Sequence, residues 1–61
     1  MANLTTKELH ALEDQLGMEK MLYCKYQEAA QQSGDAALQT QFRACAQQHK
    51  TNYSNLLSFL Q

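Results

Sequence analysis

The stretch Ala29-Ala30-Gln31-Gln32-Ser33-Gly34-Asp35-Ala36-Ala37-Leu38 decides the fold, because it places a chain reversal between two helical segments. Glycine commonly ends a helix in the left-handed conformation, which we expect at Gly34, and aspartate such as Asp35 often caps the start of the next helix. We therefore predict a turn at residues 33–35. A turn this short makes the two flanking helices antiparallel.

Both flanking segments repeat apolar residues at alternating spacings of three and four, which indicates amphipathic helices. Thr5 and Glu8 match a capping box, so we expect helix one at about residues 6–32 and helix two at about 36–60. Antiparallel packing pairs the two series in reverse order, which predicts a seam that is apolar at both ends and polar in the middle. The seam positions are Leu9, Leu12, Leu16, Glu19, Tyr23, Tyr26 and Ala30 in helix one, and Leu38, Phe42, Cys45, His49, Asn52, Leu56 and Phe59 in helix two.

The chain has 61 residues, which is enough for one small unit. Each helix also carries apolar residues beside the seam, and a lone pair of helices leaves these in water. Stable helical proteins cover such stripes with further helices. We therefore predict that residues 1–61 form a single all-α antiparallel two-helix hairpin, which dimerises into a four-helix bundle.

Composition argues against several classes of function. The formal net charge is −1, and the five Lys and Arg residues are scattered, so we expect no binding to nucleic acid. No apolar run approaches the roughly 20 residues that span a bilayer, so we expect no membrane partner. The N-terminus lacks the features of a secretion signal, and Cys24 and Cys45 are expected to be reduced thiols. No phosphate-binding loop or nucleophile triad is present, so we predict that the chain is not an enzyme.

The polar middle of the seam is the candidate functional site. Glu19 interrupts an apolar row and should face His49, with Cys45 and Asn52 beside them. One interpretation is a buried polar pair that fixes register and oligomeric state, which needs no cofactor. The alternative is a divalent metal site formed by Glu19, His49 and Cys45, doubled in a dimer. Ala46 and Asn52 stand where further ligands would be expected, so we favour the first interpretation.

Several short motifs recur along both helices. They are Leu4-Thr5-Thr6-Lys7-Glu8-Leu9, Leu12-Glu13-Asp14-Gln15-Leu16 and Glu19 in helix one, and His49, Tyr53, Leu56 and Leu57 in helix two. Together these motifs resemble the short spore coat proteins of the coat F type from endospore-forming Firmicutes, and the resemblance covers nearly the whole chain. It departs at residues 49–52, which read His-Lys-Thr-Asn where the family tends to carry His-x-x-His, and this departure puts a metal function in doubt.

The resemblance implies a ferritin-like helical arrangement and a structural role in the spore coat, after synthesis in the mother-cell cytoplasm. We therefore predict a non-enzymatic coat component that acts through self-association, with a second copy and other spore coat proteins as partners. The alternative is a ferritin-like metal-binding module that uses Glu19 and His49 at the dimer core.

Overall fold

A computed structural model describes residues 3–61 of the chain. Helix α1 spans Thr6–Gln32, helix α2 spans Ala36–Leu57, and a 3-10 turn, Ser58–Leu60, continues α2. No strand occurs within the described residues. The two helices pack along their length, and the Cα positions extend over 46 × 15 × 11 Å. The predicted all-α helical hairpin is therefore confirmed for one chain.

The start of α1 is held by the predicted capping box. The Thr5 hydroxyl accepts a hydrogen bond from the Glu8 backbone N–H at 3.1 Å, and the Thr5 backbone N–H donates to Glu8 Oε1 at 2.9 Å. The hydrogen bond from the Thr5 backbone holds the pKa of the Glu8 carboxyl below its ordinary value. The backbone N–H groups of Thr5 and Glu8 have no acceptor within the helix, and the capping box gives each of them a side-chain acceptor.

The turn reverses the chain without a left-handed residue, so the predicted conformation of Gly34 is wrong. Helix α1 ends at Gln32, and the following residue, Ser33, is extended (φ −73°, ψ 135°) while its N–H still donates to the Ala29 carbonyl. The Ser33 hydroxyl then accepts from the Asp35 N–H at 3.2 Å, and the Asp35 carboxylate accepts from the Leu38 N–H at 2.8 Å. These side-chain hydrogen bonds redirect the backbone, so a glycine conformation is not required.

The core lies along the seam and is small. Among residues 3–61, the buried apolar side chains are Leu16, Ala30 and Ala46, and the one buried charged residue is Glu19.

The apolar ends of the seam differ from the prediction, because Leu38 is 45% exposed and Phe59 is 53% exposed. Both lie near an end of the hairpin, where the facing helix has few turns left to cover them. Phe59 also belongs to the 3-10 turn, whose three residues per turn rotate side chains away from α-helical spacing. The ends of the hairpin therefore leave large apolar side chains in contact with solvent.

Candidate functional site

Glu19 and His49 meet at the middle of the seam, as the mirrored spacing predicts. His49 Nδ1 lies 2.6 Å from Glu19 Oε1, and Asn52 Nδ2 donates to the same oxygen at 3.4 Å. Gln15 Nε2 donates to the other oxygen, Glu19 Oε2, at 2.9 Å. The Glu19 side chain is 8% exposed and that of His49 is 24% exposed. A carboxylate that would be costly to bury alone is therefore bonded on both oxygens.

The electrostatics of this group favour an ionised Glu19. The hydrogen bond from His49, followed by that from Gln15, lowers the pKa of the Glu19 carboxyl below its ordinary value, against the smaller opposing effect of burial. An ionised carboxylate can only accept hydrogen bonds, so Nδ1 of His49 carries the proton and donates it. The contact is therefore a charge-assisted hydrogen bond whether the imidazole is neutral or protonated.

The imidazole ring of His49 also stacks against an aromatic ring of α1. The Tyr26 ring lies parallel to the His49 ring, with centroids 5.7 Å apart and an interplanar angle of 4°. Phe42 extends this contact, because its ring lies 6.0 Å from that of Tyr26. With Nδ1 directed at Glu19, Nε2 of His49 makes no hydrogen bond to any described residue. Ring orientation by a carboxylate, with Nε2 left available, is also the arrangement found behind metal-bound histidines.

The structure brings together two of the three predicted metal ligands. Cys45 is half-buried and is a free thiol, but it makes no hydrogen bond to the Glu19–His49 pair. Among residues 3–61 of one chain, no three His, Cys, Asp or Glu side chains are grouped so that they could hold a metal ion. Whether two chains together complete such a group stays a prediction.

Gln15 is the member of the site that the sequence analysis missed. It lies four residues before Glu19, on the same side of α1, where a side-chain hydrogen bond between helical neighbours is expected. That spacing is a signal that sequence reasoning can use, because a seam carboxylate needs donors from its own helix as well as from the facing one.

A surface groove of about 260 Å³ lies close to the site. Its walls include Lys20 and Lys50, which are the next residues along each helix from Glu19 and His49. Tyr23, Tyr53 and the exposed Cys24 complete the lining. Aromatic and basic side chains therefore line the groove together.

Within the described part of the chain, neither helix has the length and apolar character needed to cross a bilayer. Comparisons with protein-family models, curated proteins and solved structures give no match for this chain. The resemblance to coat F type proteins therefore stays a prediction that rests on the motifs quoted above.

Proposed function

We propose that the chain is a non-enzymatic structural protein that acts by self-association. The observation that carries this proposal is the exposure of apolar side chains by the single hairpin. One chain of 7.0 kDa exposes 4659 Å², whereas a compact monomer of that mass exposes about 4,000 Å². Met18, Met21, Leu38 and Phe59 are all about half exposed or more. A second hairpin that forms a four-helix bundle would cover part of this surface.

Concentration-dependent thermal unfolding tests self-association. If two copies fold together, the midpoint followed by circular dichroism should rise as protein concentration increases, because mass action favours the associated state. An unchanged midpoint from low to high micromolar concentration would contradict the proposal.

We place the protein in the spore coat, with other coat proteins as neighbours and the mother-cell cytoplasm as its place of synthesis. The sequence resemblance supports this assignment. Immunodetection in fractionated spores of a producing strain tests it, since the coat extract should contain the protein and the spore core should not. Detection in vegetative cells alone would contradict the location and leave self-association untouched.

A second candidate function is a ferritin-like metal-binding module formed by two copies. It is favoured by the orientation of His49, whose Nδ1 is held by Glu19 and whose Nε2 is available. One chain supplies few ligands, because both oxygens of Glu19 already accept hydrogen bonds. Two copies would offer two Nε2 atoms, and Cys45, four residues before His49, could add two thiolates to reach the four ligands that zinc prefers.

Metal content distinguishes the two functions. The metal candidate predicts that protein purified without chelators contains a transition metal, and that added zinc, iron or manganese raises its unfolding midpoint. The His49→Gln variant should lose both effects. Metal-free protein whose midpoint does not respond to any of the three ions would leave only the structural role.

A further inference from the structure

The two long sides of the hairpin differ in charge. Met18 and Lys20 flank Glu19 at about 100° on opposite sides of α1. Lys20 and Lys50 line the groove together, so they mark one side. Gln15 and Asn52 both reach Glu19, and they mark the other.

On the side marked by Gln15 and Asn52, the α1 stripe is uncharged from Gln15 to Leu22 and the α2 stripe is uncharged throughout, and we call this side the uncharged face. Beyond that section, Lys25 lies on the α1 stripe, seven residues after Met18. Helix α1 contributes Gln15, Met18, Leu22, Lys25 and Ala29, at alternating spacings of three and four. Helix α2 and its 3-10 extension contribute Leu38, Cys45, Asn52 and Phe59 at intervals of seven, with Gln41 and Gln48 between them.

Large apolar side chains are concentrated on the same face. Met18 is 48% exposed, and Leu38 and Phe59 are exposed to a similar degree, so three of the four large apolar side chains that are exposed within residues 3–61 lie here. Protein interfaces show this combination, because their centres are depleted in charge and enriched in methionine and aromatic residues.

We propose that the uncharged face binds a second copy of this chain. This inference rests on the proposed self-association and specifies which surface carries it. The hairpin measures 46 × 15 Å at its Cα atoms, which gives a face of roughly 700 Å² before side chains are added, close to the ~800 Å² per partner of a stable protein interface. The opposite face is a poorer candidate for this contact, because Lys20 and Lys50 lie at its centre, where two copies would bring them into proximity with their own counterparts.

This mode of binding places the polar sites at the centre of the dimer. Glu19 is the middle residue of α1, Thr6–Gln32. A two-fold axis in the interface can run along the hairpin or across its midpoint and still overlap the whole face. Both arrangements put the level of Glu19 and His49 opposite the same level of the second copy. The partner thus adds its own Glu19–His49 pair, and the donors Gln15 and Asn52 lie at the contact.

Matched charge substitutions on the two faces test the proposal. Met18→Glu and Lys20→Glu each place a carboxylate on an exposed position in the same turn of α1. Light scattering and sedimentation should show that Met18→Glu raises the dimer dissociation constant about tenfold or more, because like charges then face each other across the interface. Lys20→Glu should change it less than about twofold. Circular dichroism checks that both variants keep their helices.

A second pair in α2 covers the case in which Met18→Glu does not fold. Gln48→Glu lies on the uncharged face and Gln47→Glu beside it, and each removes one hydrogen bond to a residue four positions on. Dissociation by Gln48→Glu alone supports the proposal. Equal changes in the dimer dissociation constant for the two variants of a pair would overturn the choice of face. Dissociation caused only by Lys20→Glu or Gln47→Glu would do the same, and both results would leave dimerisation itself intact. A monomeric wild type would overturn self-association itself.

Discussion

The middle and the ends of the seam reverse what their residue types suggest. Glu19 at the middle is charged, yet it is among the most buried residues and accepts hydrogen bonds from three side chains. Leu38 and Phe59 at the ends are apolar, yet about half of each is in solvent. The chain therefore satisfies its polar group internally and leaves apolar surface uncovered, which is the division expected of a subunit that completes its core by association.

The largest expected effect contrasts a buried leucine with an exposed one. Leu16→Ala should lower the free energy of unfolding by about 2–4 kcal/mol, because it removes a buried side chain and leaves a cavity. Leu38→Ala should cost less than about 1 kcal/mol in dilute protein, because that side chain is already half in solvent. Urea titration measures both. Equal losses in dilute protein would mean that the ends of the seam are as well packed as its middle.

Removal of the central pair should be less damaging than removal of one partner. Glu19→Leu leaves the donors of His49 and Gln15 without their acceptor, so the free energy of unfolding should fall. Glu19→Leu combined with His49→Leu should return stability to the wild-type value or above it, because apolar groups replace a desolvated pair. Urea titration measures the free energy of unfolding of the single and the double variant. If the double variant is the less stable one, the site is organised around something other than this pair, such as an ion.

Acid should reduce the contribution that the middle of the seam makes to the free energy of unfolding. Because the folded state holds the pKa of Glu19 below its ordinary value, the unfolded state binds the proton more tightly. The contribution of Glu19 is therefore complete above the ordinary glutamate pKa of about 4.3 and is lost as pH falls below it. Glu19→Gln should reduce the slope of stability against pH in this range.

Glu8 in the capping box has the same direction of shift, so it contributes to the same slope. The variant Glu8→Gln is the control, and the two substitutions together should flatten the acid response further. A slope unchanged by Glu19→Gln would contradict the assignment of an ionised Glu19 at neutral pH.

The smallest expected effect lies away from the seam. Gly17 is inside α1, and a methyl group added there meets no atom within 4 Å in the single hairpin. Gly17→Ala should therefore raise the free energy of unfolding by about 0.5–1 kcal/mol, because alanine favours the helix more than glycine does. Thermal unfolding measures the gain. Destabilisation would indicate that a neighbouring helix packs against Gly17.

The seam can be predicted from the sequence because the patterns that define it are local and periodic. The spacing of apolar residues and the short turn predict the hairpin, and the mirrored positions predict the contact of Glu19 with His49. The exposure of Leu38 was not predictable in this way, because burial at an end depends on how many turns of the facing helix remain. The left-handed conformation predicted for Gly34 is wrong because hydrogen bonds of the Ser33 and Asp35 side chains redirect the backbone at this turn.

The role of Gln15 depends on a side-chain rotamer as well as on spacing. Several glutamines lie four residues from a polar partner, and only the structure shows that this one reaches the seam carboxylate. The function is harder to predict from the sequence than the fold is. The available Nε2 atom of His49 indicates a metal site only when a second copy of the chain lies beside it and supplies further ligands.

The oligomeric state of the wild-type protein tests the central claim, that one hairpin is half of a folded unit. Light scattering coupled to size-exclusion chromatography gives this mass directly at micromolar concentration. We predict a helical species of twice the mass of one chain, which dissociates and loses helix on dilution. A stable, fully helical species with the mass of a single chain would contradict the account.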